Sequence, residues 1–244
     1  MASILKFFYN GIVYMGKRNY TKKYYKSKYS GGSSRWQIYG KAAGQLAKDA
    51  MKGVQLVKSL INTEFKNVDT NGNVTAIAGG TLQLVNPTSM GSGQNNREGS
   101  SFRMKSVLTR FRITVNATAP GYQTCRCLLV LDQQPNGTVF GITDLLATNT
   151  IDSPRNLDYR KRFKILYDKN FCVSANRPQI FDQIYQKFDS KVLSNQAHVQ
   201  CYATSNLGTI ADISTNALYM VFLSDQGVNG PTMDYYTRVR FLDN

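Results

Sequence analysis

Between positions 41 and 61 the apolar residues recur every three to four places: Ala42, Ala43, Leu46, Ala47, Ala50, Met51, Val54, Val57, Leu60 and Ile61. That period predicts an amphipathic helix with one apolar face. Lys41, Lys48, Lys52 and Lys58 fall off the stripe, and Asn62 stands where it can cap the helix end. From residue 72 onward the period changes to two, and β-branched residues become frequent. Strands are expected at 73–85 (bent at Gly79-Gly80), 102–116, 123–131, 159–173, 183–193, 197–204, 217–223 and 233–242. In the second of these Phe111, Ile113 and Val115 share one face, and Arg110, Arg112 and Thr114 share the other. The unbroken apolar runs Leu128–Leu131 and Ala217–Leu223 read as central, doubly covered strands. Residues 142–147 read as a short helix in a crossover. Asn71-Gly72, Pro120-Gly121 and 132–137 (DQQPNG) read as turns. Eight strands with long connections, preceded by one dominant helix, predict an all-β fold: an eight-stranded jelly-roll β-sandwich. The expected division is a basic arm at 1–36, the helix and its connection at 37–66, and the jelly roll at 67–244.

Charge changes this picture at the N-terminal end. The chain has 244 residues and a net charge of +15. Residues 1–60 hold 12 Lys and Arg against the single acid Asp49, so most of the excess lies there. The segment 16–36 (GKRNYTKKYYKSKYSGGSSRW) concentrates it: Lys17, Arg18, Lys22, Lys23, Lys26, Lys28 and Arg35, with no acid. Tyr20, Tyr24, Tyr25 and Tyr29 are interleaved, and Trp36, the one tryptophan, closes it. Cations that meet phosphates release condensed counterions. Aromatic rings stack on unpaired bases, at roughly 1–3 kcal/mol per base. A duplex offers few free base faces, so the tyrosines point to single strands. The same basic run suits a nuclear-import signal. Lys41, Lys48 and Lys52 of the helix extend the candidate set. So do Arg103, Lys105, Arg110 and Arg112, which lie early in the body.

Catalytic chemistry is not visible. The single histidine, His198, sits in a strand and reads as a core or interface residue. No zinc-type Cys/His spacing, phosphate-binding glycine loop or nucleophile elbow occurs, so no metal or cofactor is expected and no enzymatic activity. Four cysteines do not make a disulfide framework, and all four are expected buried and reduced. No apolar run reaches the roughly 18 residues of a membrane span. The apolar opening, broken by Lys6 and Asn10, lacks the charged start and small-residue cleavage site of a signal peptide.

Four passages occur in a telling order. Leu60-Ile61-Asn62-Thr63-Glu64-Phe65-Lys66 is close to "LIN-x-E-x-K". Arg97-Glu98-Gly99 is followed by Lys105-Ser106. Arg126–Gly137 fits "R-x-[apolar]3-x-D-x-Q-P-N-G", and Arg162–Asp168 fits "R-F-x-[apolar]-L-x-D". The pattern resembles the coat proteins of small circular, Rep-encoding single-stranded DNA viruses. Within them it is similar to the circovirus-like branch whose capsid domain is related to satellite tobacco necrosis virus. The arm departs from that pattern, being rich in Tyr and poor in arginine runs. The resemblance implies a homo-oligomer of sixty copies in a T=1 icosahedral shell. It implies single-stranded DNA as cargo (RNA as its stand-in in recombinant particles), host import factors as partners, and residence in the virion and, during assembly, the host nucleus. Arg155, Tyr235 and Tyr236 are candidates for subunit interfaces. The loops 86–96, 137–155 and 207–216 are candidates for the outer surface by their polarity. A cellular single-strand-binding β-barrel is the rival reading; it would show exposed aromatics on its strands and no large subunit interfaces.

Overall fold

The structure, a computed structural model, describes residues 35–60, 64–118, 121–188, 193, 196–202 and 206–243. The arm residues Lys17 to Tyr29, the Gly31–Ser34 hinge and the Asn62 cap lie outside the described residues. The chain forms two units, residues 1–59 and residues 60–244. The helix α1 spans Arg35–Leu60, all but its last residue in the first unit, and starts six residues before the apolar stripe does.

The second unit is a two-sheet sandwich. Its strands are β1 Glu64–Thr75, β2 Thr81–Leu84, β3 Ser101–Thr114, β4 Gln123–Asp132, β5 Phe163–Val173, β6 Gln179–Lys187, β7 His198–Cys201, β8 Ile213–Thr215, β9 Ala217–Ser224 and β10 Thr232–Asp243. A one-turn helix, α2 (Ile142–Leu145), lies between β4 and β5. Sheet A runs β1-β10-β3, and β3 then pairs with β6 along its later half and with β7 at its start; β8 follows β7. Sheet B runs β2-β9-β4-β5. All pairings within the sheets are antiparallel. The orders 1-10-3-6 and 2-9-4-5 are those of a jelly roll, so the fold is the expected all-β sandwich.

Two departures from the expected strands have clear causes. The first expected strand is two strands in different sheets. They are joined through Gly80, whose φ of +76° is left-handed and whose missing Cβ leaves room for Ile142. The first of them, β1, also starts nine residues earlier than expected, inside the segment assigned to the connection. Asn71-Gly72 is not a turn but lies inside β1. Gly72 stands opposite Tyr235, and a Cβ there would lie 3.0 Å from the tyrosine ring, which would have to shift to admit it, so packing favours the glycine. The second departure is β8, which lies in a stretch read as loop; it lengthens β7 by a short pairing.

Between the sheets, inward side chains interlock as ring pairs. Phe111 of β3 meets Phe171 of β5 edge-on at 5.6 Å, and Phe222 of β9 meets Tyr235 of β10 at 5.9 Å. The apolar runs of β4 and β9 are buried on both faces as expected. The second cover of sheet B is the crossover between β4 and β5. Phe140 packs against Tyr219 (5.1 Å) and Phe163 (4.7 Å), and Ile142, Leu145 and Leu146 are buried beside them. Sheet A carries no such cover among the described residues. Its outward positions on β3, β6 and β10 are half-buried or exposed.

The cysteines divide. Cys125, Cys127 and Cys201 are buried, but Cys172 is exposed, contrary to expectation, because it takes an outward position at the edge of sheet B. Burial pushes the Cys125 thiol up to about 12, with Asp225 and Cys172 adding to it, and raises Cys127 and Cys201 as well. Alkylation of the native protein at pH 8 should therefore add one group per chain, on Cys172, and four after denaturation. Two or more adducts on the native protein, by intact mass, would refute the packing described.

Candidate nucleic-acid interface

The helix presents two faces. Lys48 and Lys52, four residues apart, share one side of α1; Ala43, Leu46, Ala47, Ala50 and Val54 occupy the other. Between residues 43 and 56 every side chain is exposed, with Leu46 71% and Met51 64% accessible. Gln45 donates to Asp49 across one turn (3.3 Å). The side chains of Arg35, Trp36 and Lys41 lie outside the described residues, although their backbone is helical. Arg35 and Trp36 thus stand in the first turn of α1.

On the body, Arg110 and Arg112 alternate onto the outward face of β3, as the sequence predicted, and Arg103 and Lys105, an odd number of residues away, join them because the pairing with β10 slips by one residue between Ser106 and Met104. Their environments differ. Arg112 is locked to Asp234 by two bonds, Nε at 3.1 Å and a second guanidinium nitrogen at 2.5 Å, and Asn73 donates to the same carboxylate. The Arg112 guanidinium holds the Asp234 carboxyl below the usual carboxylate range, with Asn73 assisting. As a phosphate contact Arg112 is thus a weaker candidate than its type suggests. Arg103 and Arg110 form no ion pair with a described residue. Neither does Arg240 of β10, which sequence reasoning missed. Beside Arg240, Arg238 is engaged by Asp69 at 2.7 and 2.6 Å, and Tyr236 also donates to Asp69 at 2.6 Å. The Arg238 guanidinium holds Asp69 low. The aromatics on this face are Phe65 of β1, Phe181 and Tyr185 of β6 and Tyr236 of β10, at 76%, 71%, 54% and 46% exposure. Of these only Tyr236 was proposed from the sequence as an interface residue; the strand expected at 183–193 began too late to include Phe181.

The four sequence passages turn out to be framework. Arg126 and Asp132 belong to one, Arg162 and Asp168 to another, and the structure pairs them crosswise. Arg126 grips Asp168 (2.7 and 2.6 Å) and Arg162 grips Asp132 (2.9 and 2.8 Å). Arg126 also donates to the carbonyls of Ile151 and Ser153 (2.8 and 2.7 Å), tying down the crossover that covers sheet B. Lys66 of the first passage reaches Asp243 (2.9 Å) and Glu98 of the second (3.3 Å). Fully buried Arg97 donates to the carbonyls of Thr88 and Gly99. Along one edge of the sandwich, Tyr167 of β5 and Lys169 of β5 both donate to Asp182 of β6, at 3.0 and 2.6 Å. Burial pushes Asp182 up, but Lys169, the Gln183 N–H and Tyr167 together outweigh it and leave the carboxyl low.

Several expected roles are corrected. Tyr235 is buried and donates to Gln83 (3.2 Å), so it is a core residue and not an interface candidate. Arg155 donates to the carbonyls of Arg160 and Phe163 within its own loop. The expected basic face of Arg160, Arg162 and Lys164 does not form. The strand begins only at Phe163, Arg162 turns to Asp132, and Lys164 donates to Gln196 (2.8 Å). His198 is half-buried in β7, and its carbonyl accepts from Asn216 (2.7 Å). Among the described residues no group of three His, Cys, Asp or Glu is placed to hold a metal, and no helix is long and apolar enough to cross a membrane.

Jelly rolls build viral shells, lectins and cupins. The geminivirus coat protein/nuclear export factor BR1 family matches residues 15–244, and the chain belongs to that family. It is therefore a coat protein, with a structural, non-enzymatic role and a place in the virion. The coat protein of maize white line mosaic satellite virus is 24% identical to it over 202 residues, 78% of this chain and 86% of that one. Two solved structures are distant. Latent dimeric PorU of Porphyromonas gingivalis is 8% identical at a TM-score of 0.31, over 75% of this chain but 13% of that one. The 60-mer BFDV capsid protein is 7% identical at a TM-score of 0.29, over 74% and 91%. At these scores neither carries an argument.

Proposed function

We propose that the protein assembles with copies of itself into a closed icosahedral shell of sixty subunits. In this reading it packages single-stranded DNA through the basic, tyrosine-rich segment at 17–36, helped by Lys41, Lys48 and Lys52 of α1. The observation that carries this is the charge distribution in a coat-family chain: 12 Lys and Arg against one acid in residues 1–60, on a body that is nearly balanced. Sixty such segments would bring on the order of hundreds of positive charges to a polyanion, and counterion release would drive packaging. Arg103, Arg110 and Arg240 on the open face of sheet A add cations at the body surface. The narrower likeness, to circovirus-like coat proteins and the satellite tobacco necrosis capsid domain, rests on the four sequence passages. A family description that includes a nuclear export factor supports passage through the host nucleus, for which import factors would read the basic segment.

The test is sedimentation and negative-stain microscopy of the full-length protein, with the 260/280 nm absorbance ratio of the same particles. Uniform closed shells with a high ratio are expected. Shells with a low ratio would remove the packaging role. Only monomers or small oligomers, at low salt with single-stranded DNA present, would remove assembly.

A further inference from the structure

Across the middle of sheet A the strand register lines up two rows of outward side chains. Asn71, Tyr236, Arg110 and Gln183 form one; Asn73, Asp234, Arg112 and Phe181 form the next. Together they line a shallow depression of about 910 Å³. The charges of the second row cancel, since Arg112 and Asp234 hold each other. In the first row Arg110 is exposed and has no ion pair with a described residue. Tyr236 is fixed by its hydroxyl on Asp69 and leaves its ring half open to the depression. Phe181 is 71% exposed on a strand whose other apolar side chains, Ile180 and Ile184, turn inward.

An exposed phenyl beside an unmatched guanidinium restricts the occupant. An apolar partner would desolvate Arg110 and offer it nothing, and the nearby carboxylates Asp69, Asp182 and Asp234 are already taken. A second copy docked face to face would set Arg103, Arg110 and Arg240 against the same cations. A nucleotide satisfies each group: phosphate for the guanidinium, a base face for the ring, and base edges for the amides of Asn71 and Gln183.

We propose that this depression seats an unpaired nucleotide of a single strand, its phosphate on Arg110 and its base stacked on Phe181, with Tyr236 as the second aromatic wall. The proposal rests on the reading above that the protein carries single-stranded nucleic acid. It adds that preference for single strands is built into the body as well as into residues 17–36. A duplex could use Arg110 but not Phe181, because its base faces are stacked.

The test uses the full-length protein, a labelled thymidine oligonucleotide and a labelled duplex of the same length, read by fluorescence anisotropy. Phe181→Leu, which keeps apolar bulk at an exposed site, should weaken oligonucleotide binding about tenfold and leave duplex binding unchanged. Arg110→Gln should weaken both and reduce the slope of log affinity against log salt by about one. An oligonucleotide carrying 5-iodouracil should crosslink to Phe181 or Tyr236. If Phe181→Leu binds the oligonucleotide as wild type does, or loses both ligands equally, and crosslinks fall only within 17–36, the seat is refuted while packaging by the basic segment stands. If the wild-type protein binds no single strand at all, both readings fall.

Discussion

Asp132→Ala will lower the unfolding midpoint by about 10 °C, measured by circular dichroism on the full-length protein at neutral pH. Asp132 has no exposed surface, and both its carboxylate oxygens accept from Arg162. One oxygen also accepts the Gln134 N–H and so shapes the turn after β4. Removing one partner of a buried ion pair costs about 3–5 kcal/mol, because the other charge stays uncompensated. A chain of this size loses about 2–4 °C per kcal/mol. Arg162, at 19% exposure, is the less buried partner and can turn partly to solvent, which favours the lower end of that energy range. Asp132→Leu combined with Arg162→Met should recover most of the loss, though not the Gln134 bond. If the double variant is no more stable than Asp132→Ala, the pair is not what holds this corner.

The second large effect is at Lys66. Lys66→Met keeps the volume and apolar stem but removes the ammonium that meets Asp243, both side chains being 4% exposed. Asp243 then keeps only the Glu98 N–H (2.8 Å), and its Oδ1 already lacks a hydrogen-bond partner among the described residues. A loss of about 3 kcal/mol is expected in a urea titration. Adding Asp243→Asn should return most of it by removing the stranded charge. No rescue would mean that Lys66 acts through packing alone. Neither variant touches the open face of sheet A, so single-strand affinity below the transition should be unchanged.

What the sequence made legible was whatever its period records. The alternation through Arg110–Thr114 assigned each residue to the correct face of β3, and the apolar runs of β4 and β9 announced strands covered twice. What it hid were the relations between distant segments. Asn71-Gly72 has the composition of a turn, and only the Tyr235 ring lying against Gly72 shows why a strand favours that glycine. Arg126 and Asp132 look like partners within one passage, yet each pairs with a residue of the other. Phe181 stands out in no period of the sequence, because its exposure is decided by which side of β6 the register with β3 turns outward. The open basic face was half visible: Arg110 and Arg112 were placed together, but nothing local shows that Asp234 silences one of them.

The position of β10 has a consequence for how the protein is made. It lies between β1 and β3, and the contact that closes its far end, Lys66 with Asp243, joins residues 177 positions apart. On the ribosome, β1 and β3 are therefore synthesised long before the strand that will lie between them. Until β10 emerges β1 has no partner in the sheet, and the edge of β3 that β10 will cover remains unpaired, although β6 and β7 can already pair with the other edge of β3. The basic segment and α1 precede all of them. A nascent chain thus offers polyanions its cations well before it has a coat-protein body, and completion of sheet A waits on the strand made last.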